Sequence, residues 1–309
     1  APTQPVASGE ISKMSDCMWF GTEERMGWIP APLSGASMSP EGWSAGGVLL
    51  SGGGYQHNSW GSHKTYSFEW ANSSATQTAQ LMKSYSDGTY GRGLIYFIDP
   101  LTYLDNILPA RIADPSMALG DESASMVYGV EPSPVGNVGN SVNNLPVLGA
   151  SYNLAGVASG HRAGESTFIP IPEGYRLYLT AYYSTTGATT GGIFASPQTA
   201  KGVLGAAVKL TANAPSVATP VANSFSGVSG VRVWLGKTST AASVVNAMAL
   251  VGRLVKEGDS APTGQWVGGS GHSGARFSSR PTYVAYNGVD GGQVGYAASF
   301  REVGSWNYA

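Results

Sequence analysis

Histidine is the residue type of this chain best suited to acid–base chemistry or metal binding, and the chain contains His57, His63, His161 and His272. His57 and His63 lie close together in a stretch rich in Gly, Ser and Trp. A zinc site there would need at least a third ligand, which the neighbouring sequence does not supply. We therefore interpret this pair as solvated loop histidines. We predict no bound metal and no cofactor.

The segment Gly269–Gly274 matches the spacing G-x-G-x-x-G. In dinucleotide-binding proteins this motif opens a helix whose N-terminus faces the pyrophosphate. Here the motif is followed by the sequence ARFSSRP, which does not read as a helix. We predict a flexible or tightly turning loop at this position and no nucleotide site.

Glycoside hydrolysis requires two carboxylates that face each other across a cleft. The candidate carboxylates are Glu23, Glu24, Glu41, Glu69, Asp99, Asp105 and Asp121. Their spacing selects no pair. The chain has no G-x-S-x-G motif, and its one cysteine, Cys17, has no histidine in a recognisable catalytic pattern. We predict that the protein is not an enzyme, and a glycosidase stays open only because the fold class permits one.

Aromatic residues in Gly/Ser-rich surroundings are the candidates for contact with a partner. They are Trp43, Tyr55, Trp60, Trp266 and Trp306. Flat rings of this kind can stack on sugars or anchor a subunit contact, but they can equally cap a sheet edge or fill a core. Between the two functional interpretations, subunit contact is favoured over glycan binding because weakly charged, aromatic-bearing surfaces are typical of the centres of interfaces.

The elements that position these residues are predicted to be mainly β-strands. The stretch Thr65–Trp70 alternates between apolar and polar residues, as in a half-buried strand. Leu94–Ile98 is apolar throughout, as in a strand that is covered on both faces. One helix is predicted at about 74–87, where Ser74 and Gln77 have the spacing of a capping box, and we expect it to pack over the 94–98 strand.

The second half of the chain repeats the alternating pattern. In each of four predicted strands, one set of residues is expected to share a face. The four sets are Tyr175, Leu177 and Leu179; Val231, Val233 and Leu235; Met248, Leu250 and Gly252; and Tyr296, Ala298 and Phe300. Such strands, separated by Gly/Ser/Thr-rich loops, indicate an antiparallel sandwich or jelly roll. We expect the last strand to close a sheet beside an early one.

The domain organisation follows from where these patterns stop. Residues 1–13 contain two prolines and few core residues, so we interpret them as an N-terminal arm. Residues 14–130 form the first β-domain, with the helix. Residues 131–145 are dense in Pro, Gly and Asn and are predicted to be a linker. Residues 146–309 form the second β-domain.

The composition of the chain limits the classes of partner that it is expected to bind. Charged residues make up 12% of the chain, about half of the roughly 25% in ordinary soluble proteins. The formal net charge is -2 and there is no Lys/Arg cluster, so nucleic acid is not an expected partner. The single cysteine excludes an internal disulfide. No run of about 18 apolar residues occurs, so no membrane span is predicted.

Several ordered blocks in residues 10–120 resemble the N-terminal region of minor tail proteins of siphophages that infect actinobacteria. The blocks are MSDCMWFGTEERMGWIPAPLSGASMSPEGW, SHKTYSFEW, TAQLMKSYSDGTYGRGLIYFIDP and LDNILPARIADP. In the order and general character of these blocks, the chain also resembles a distal tail protein. This resemblance implies a tail-tube-like β-sandwich flanked by one helix, followed by a jelly-roll or galectin-like sandwich.

The function implied by the resemblance is structural. The expected protein is made in the host cytoplasm and becomes part of the virion at the tail tip, as a homo-oligomer in a ring or trimer with other phage tail proteins. The resemblance offers no catalytic residues. The alternative is a carbohydrate-binding adhesin that recognises a host cell-wall glycan, for which no set of sugar-binding positions can be transferred.

Overall fold

The computed structural model describes residues 17–32, 37–48, 55–70, 93–98, 105–120, 130–138, 142–157, 167–262, 265–279, 282–286 and 293–303. Side chains are described in these ranges except at 37–63 and 283–294. The predicted arm at 1–13, the predicted helix at 74–87 and Trp306 lie outside the described residues.

The described residues fold mainly as β-strands, as the alternating patterns predict. The first strands are β1 (Cys17–Thr22), β2 (Arg25–Pro30), β3 (Ser37–Val48), β4 (Tyr55–Trp70), β5 (Tyr96–Ile98), β6 (Ser133–Gly136), β7 (Leu148–Asn153) and β8 (Thr167–Pro170). They are followed by β9 (Tyr175–Gly187), β10 (Gly191–Gln198), β11 (Val208–Lys209), β12 (Ala212–Asn213), β13 (Asn223–Phe225), β14 (Gly230–Lys237), β15 (Ser243–Lys256), β16 (Ala275–Phe277), β17 (Thr282–Tyr286) and β18 (Gln293–Glu302). A short helix, α1 (Ala110–Ala113), and a 3-10 turn (Pro115–Ala118) lie between β5 and β6.

These strands form four sheets. The three-stranded sheet has the order β2-β1-β5, and the four-stranded sheet has the order β11-β10-β14-β8. The six-stranded sheet has the order β12-β9-β15-β7-β6, with β13 also paired to β9. The five-stranded sheet has the order β16-β18-β4-β3, with β17 also paired to β18. The ladders are antiparallel, apart from the short parallel ladder between β12 and β9.

The main core lies between the four-stranded and six-stranded sheets. Alternate residues of β9, such as Leu177 and Leu179, belong to the same buried cluster as Val231 and Val233 of β14. The predicted alternation of these two strands is therefore confirmed. Trp19 of β1 also belongs to this cluster, so the three-stranded sheet closes one side of the core.

A second, aromatic core lies between the three-stranded and five-stranded sheets. Tyr66, Phe68 and Trp70 of β4 are all buried in it, while Ser67 and Glu69 between them are exposed. Phe97 of β5 makes edge-to-face contacts with Tyr66 and Phe68, at ring-centroid distances of 4.9 and 5.5 Å. Because Phe97 packs here and its neighbour Ile98 packs in the main core, β5 is covered on both faces, as predicted.

A β-bulge in β15 reverses its alternation. The register against β9 shifts between Ala247 and Ala249, so Met248 is an extra residue. Val245 and Leu250, on either side of the shift, both reach the main core, whereas Met248 packs in a small cluster on the other face. The predicted grouping of Met248 with Leu250 on one face is therefore wrong, because an inserted residue moves every later side chain to the opposite face.

The two predicted β-domains share a sheet and a core. β18, near the end of the chain, pairs with β4 in the five-stranded sheet, as expected for a last strand beside an early one. The main core combines Trp19 and Trp28 with residues as late as Leu254. Within the predicted linker at 131–145, residues 133–136 form β6, the last strand of the six-stranded sheet. This part of the linker prediction needs correction, since proline is compatible with an edge strand as well as with a linker.

Candidate interaction surfaces

The five predicted contact aromatics do not form one group. Trp43 and Trp60 lie on β3 and β4 where the register shifts between the pairs Gly42–Ser62 and Ser44–Ser59, so their main-chain positions are opposite each other. Tyr55 is paired with Val48 at the other end of this ladder. The side chains of Trp43, Tyr55 and Trp60 and the whole of Trp306 are outside the described part.

Trp266 is the one predicted contact residue whose side chain is described, and it packs inward. It is half-buried against the small cluster that contains Tyr182 and Met248. Its indole Nε1 donates a hydrogen bond to the Ala113 carbonyl at 3.1 Å. This indole connects the end of α1 to the six-stranded sheet, so part of its surface is used in a contact within the protein.

Of the candidate histidines and carboxylates, Glu23 and His272 have described side-chain contacts within the protein, and Glu24 and Asp105 are exposed. His57 and His63 lie on β4, so the prediction of a loop there is wrong. Glu23 accepts a hydrogen bond from the Tyr96 hydroxyl at 2.9 Å, and it forms an ion pair with Arg232 that joins the β1–β2 turn to β14. Among the described residues there is no group of three metal-ligating side chains, and no helix is long and apolar enough to cross a membrane.

The segment Gly269–Gly274 is held tightly against the chain around Leu108. Gly271 donates its N–H to the Leu108 carbonyl at 3.1 Å. A Cβ added at Gly271 would lie 1.8 Å from the Ile107 carbonyl oxygen, and one at Gly269 would lie 2.3 Å from the Leu108 carbonyl oxygen. The Lys64 Nζ also donates a hydrogen bond to the Gly271 carbonyl at 3.1 Å, which connects this segment to β4. The glycine spacing therefore serves close packing of two backbone segments, and Gly271 forms a parallel bridge with Pro109.

His272, in the middle of this segment, is a buried core residue. Its Nδ1 accepts a hydrogen bond from the Gly274 N–H at 3.1 Å, and its Nε2 lies 3.1 Å from the Phe97 carbonyl oxygen and 3.3 Å from the Phe97 nitrogen. Its ring centroid lies 4.1 Å from that of Phe97. Burial lowers the pKa of His272 to about 4, although nearby Glu302 acts in the opposite direction.

Acid should weaken the fold through His272. In the unfolded chain this histidine takes up a proton below about pH 6.5, whereas the folded protein resists protonation until about pH 4. Because the unfolded state binds the proton first, the free energy of unfolding should fall by up to about 3 kcal/mol as the pH drops from 7 to 4. Urea unfolding across this pH range, with His272→Gln as the control, measures the effect. Parallel pH profiles for the two proteins would contradict it.

An exposed apolar segment borders the four-stranded sheet. The residues 203–208 have the sequence VLGAAV, and all six are exposed. Val203 is 61% exposed. The segment runs along β10: the Thr199 N–H bonds the Val203 carbonyl at 3.0 Å, and the Gly205 N–H bonds the Pro197 carbonyl at 2.7 Å. We call residues 203–208 the β11 edge, because they lead into β11, the last strand of this sheet.

The backbone of the β11 edge faces outward at its centre. Leu204 forms an antiparallel bridge with Gln198. The two hydrogen bonds of that bridge are made by the residues before and after Leu204, which are Val203 and Gly205. In this type of pair, the N–H and C=O groups of the central residue point away from the neighbouring strand. Leu204 therefore directs both groups to the open side, which is the arrangement that pairs with a strand of another chain.

A second set of exposed aliphatic residues lies in the connection that follows β6 and at the start of β7, and we call this segment the β6 edge. Its exposed aliphatic residues are Val138, Val142, Val147 and Leu148, of which Val138 is 86% and Val147 is 76% exposed. β6 is the terminal strand of the six-stranded sheet. Single exposed aliphatic residues are common on protein surfaces, whereas four of them in one connection beside a terminal strand make this segment a candidate interaction site.

Sequence reasoning missed both edges. The apolar run at 203–208 was visible between Lys201 and Lys209, but nothing in its pattern distinguishes an exposed edge from a buried strand. Val138 and Val142 of the β6 edge fall in the predicted linker, and Val147 and Leu148 lie just after it, where no interaction surface is predicted. Comparisons of the chain with protein-family models, with curated proteins and with solved structures gave no match.

Proposed function

We propose that this protein is a non-catalytic structural subunit of a bacteriophage tail tip, which assembles with itself and with other tail proteins. The observation that carries the proposal is the pair of exposed, uncharged apolar edges on a tightly packed, mainly-β body. Apolar residues at sheet edges are a hazard for a protein that works alone. They suit a protein whose edges become covered by neighbouring subunits.

The low charge of the chain supports the same proposal. With 12% charged residues, the surface offers few ions that a subunit contact would have to bury and pair. The resemblance of residues 10–120 to siphophage minor tail proteins is the basis for placing the protein in the virion, at the tail tip. The tail-tube-like and galectin-like folds belong to this proposal as well. A glycan-binding role is the weaker alternative, since the indole of Trp266 is hydrogen-bonded to α1 and packs partly against a buried cluster.

Mass spectrometry of purified virions tests the assignment. We expect peptides of the chain in virions of the phage that encodes it, at a constant ratio to the major tail protein through successive density-gradient steps. Retention through purification follows because a subunit whose edges are covered leaves slowly. A chain that stays in the cleared lysate and is lost from virions at the first gradient would contradict the proposal.

A further inference from the structure

The β11 edge presents main-chain groups to the open side of the four-stranded sheet. The Leu204 N–H and C=O point away from β10, and neither makes a hydrogen bond within the described part of the chain. Just beyond the other end of the edge, the Leu210 N–H bonds the Ile193 carbonyl at 2.9 Å. Lys209, the residue before Leu210, therefore directs its own N–H and C=O outward as well. A donor and an acceptor on one residue match the main chain of an extended polypeptide, whereas the main-chain groups of a helix already bond each other.

The side chains of the β11 edge indicate what the occupant must offer besides its main chain. The three large ones are Val203, Leu204 and Val208, which are 61%, 39% and 43% exposed. None of the six residues of the edge is charged. Burial of these side chains against apolar residues of an added strand removes apolar surface from water, which stabilises the contact. The occupant is therefore an extended segment with apolar side chains.

The charges around the β11 edge disfavour a second copy of the same edge as the occupant. Lys201 precedes the edge and Lys209 follows it, and both are exposed. One exposed carboxylate, Glu24, lies near Gly202, and its neighbour in the β1–β2 turn is the exposed cation Arg25, so cations outnumber carboxylates here. Antiparallel pairing of two such edges would bring the lysines of one copy against those of the other, and lysine at a sheet edge discourages this kind of pairing. The same cations attract a segment that carries carboxylates.

From the outward main-chain groups, the apolar side chains and the flanking cations, we infer that an extended segment of a different protein adds to the four-stranded sheet at the β11 edge. The segment lies beside β11 as a further strand. It carries apolar residues at its centre and Asp or Glu toward its ends, where Lys201 and Lys209 lie. The inference rests on the proposed function only for the source of this segment, which is another protein of the tail.

Fluorescence anisotropy with a labelled synthetic peptide tests the inference on the full chain. The peptide has six central residues that alternate between valine and threonine, two glutamates at each end and blocked termini, and we expect saturable binding to the wild type. Leu204→Pro removes the outward N–H without breaking a hydrogen bond of the described fold. Leu204→Ala, the matched control, shortens the same side chain and keeps the N–H. We expect Leu204→Pro to bind the peptide about tenfold more weakly than Leu204→Ala.

A second arm changes only the probe and uses the wild-type protein. Methylation of all the central main-chain nitrogens of the peptide removes its donors on both sides and keeps its side chains and charges, so we expect binding to be lost.

Three results would overturn strand addition: no binding of the unmodified peptide, equal binding of the two peptides, or equal binding by the two Leu204 variants. Light scattering covers the remaining occupant. A wild-type dimer that the peptide splits into monomers would assign the edge to a second copy and overturn the inference as well. Each of these results leaves the proposed function standing, because that function is tested by the presence of the chain in virions.

Discussion

Gly271→Ala should destabilise the protein by about 4 kcal/mol or more, because this change forces two backbone segments apart. The added Cβ would lie 1.8 Å from the Ile107 carbonyl oxygen and 2.7 Å from the carbon of the same group. Backbone atoms cannot rotate out of the way as the end of a flexible side chain can. Separation of the segments would also break the hydrogen bond from the Gly271 N–H to the Leu108 carbonyl.

Gly268→Ala is the matched control, since it makes the same chemical change three residues earlier in the same loop. No atom lies within 4 Å of a Cβ added there, so we expect a change of less than about 1 kcal/mol. Thermal unfolding should place the midpoint of Gly271→Ala roughly 10 °C below that of Gly268→Ala. Equal midpoints for the two variants would refute the close approach of the two segments.

Asn106→Asp should lower the free energy of unfolding by about as much as Gly271→Ala. Asn106 is a polar hub: it is fully buried, and its side chain hydrogen-bonds several separate segments. Its Nδ2 donates to the carbonyls of Val267, at 2.7 Å, and Leu250, at 3.2 Å. Its Oδ1 accepts from the Gly252 N–H at 3.1 Å. Aspartate cannot donate from both oxygens, so at least one buried carbonyl loses its partner, and an ionised carboxylate would also be desolvated. We expect a loss of about 3–5 kcal/mol.

The pH dependence of Asn106→Asp gives a second signature. The buried carboxyl is tolerated better in its protonated form, so its folded-state pKa should exceed the value of about 3.9 in the unfolded chain. The free energy of unfolding of the variant, relative to the wild type, should therefore fall as the pH rises from 4 to 7. Asn144→Asp, at an exposed position, should show little of either effect in urea unfolding. Similar behaviour of the two variants would argue against the hub.

Local patterns predicted the parts of the fold that depend on burial of alternate residues. Thr65–Trp70 gave its exposed and buried faces correctly, and the apolar run at Leu94–Ile98 indicated a strand covered on both sides. These predictions succeed because the side-chain period of a strand is fixed by its backbone. The same rule failed at Met248, where a bulge that the sequence does not announce inserts one residue.

The sequence by itself therefore determined a mainly-β protein of low charge, with the burial pattern of its long strands. Only the tertiary structure decided the rest. It decided that Gly271 and Asn106 hold distant segments together, that β4 pairs with β18, and that residues 203–208 are exposed. The physical reason is that alternation is a local property of the backbone. Strand pairing and exposure depend instead on segments far apart in the chain, and the residues of one such segment do not indicate which other segment it contacts.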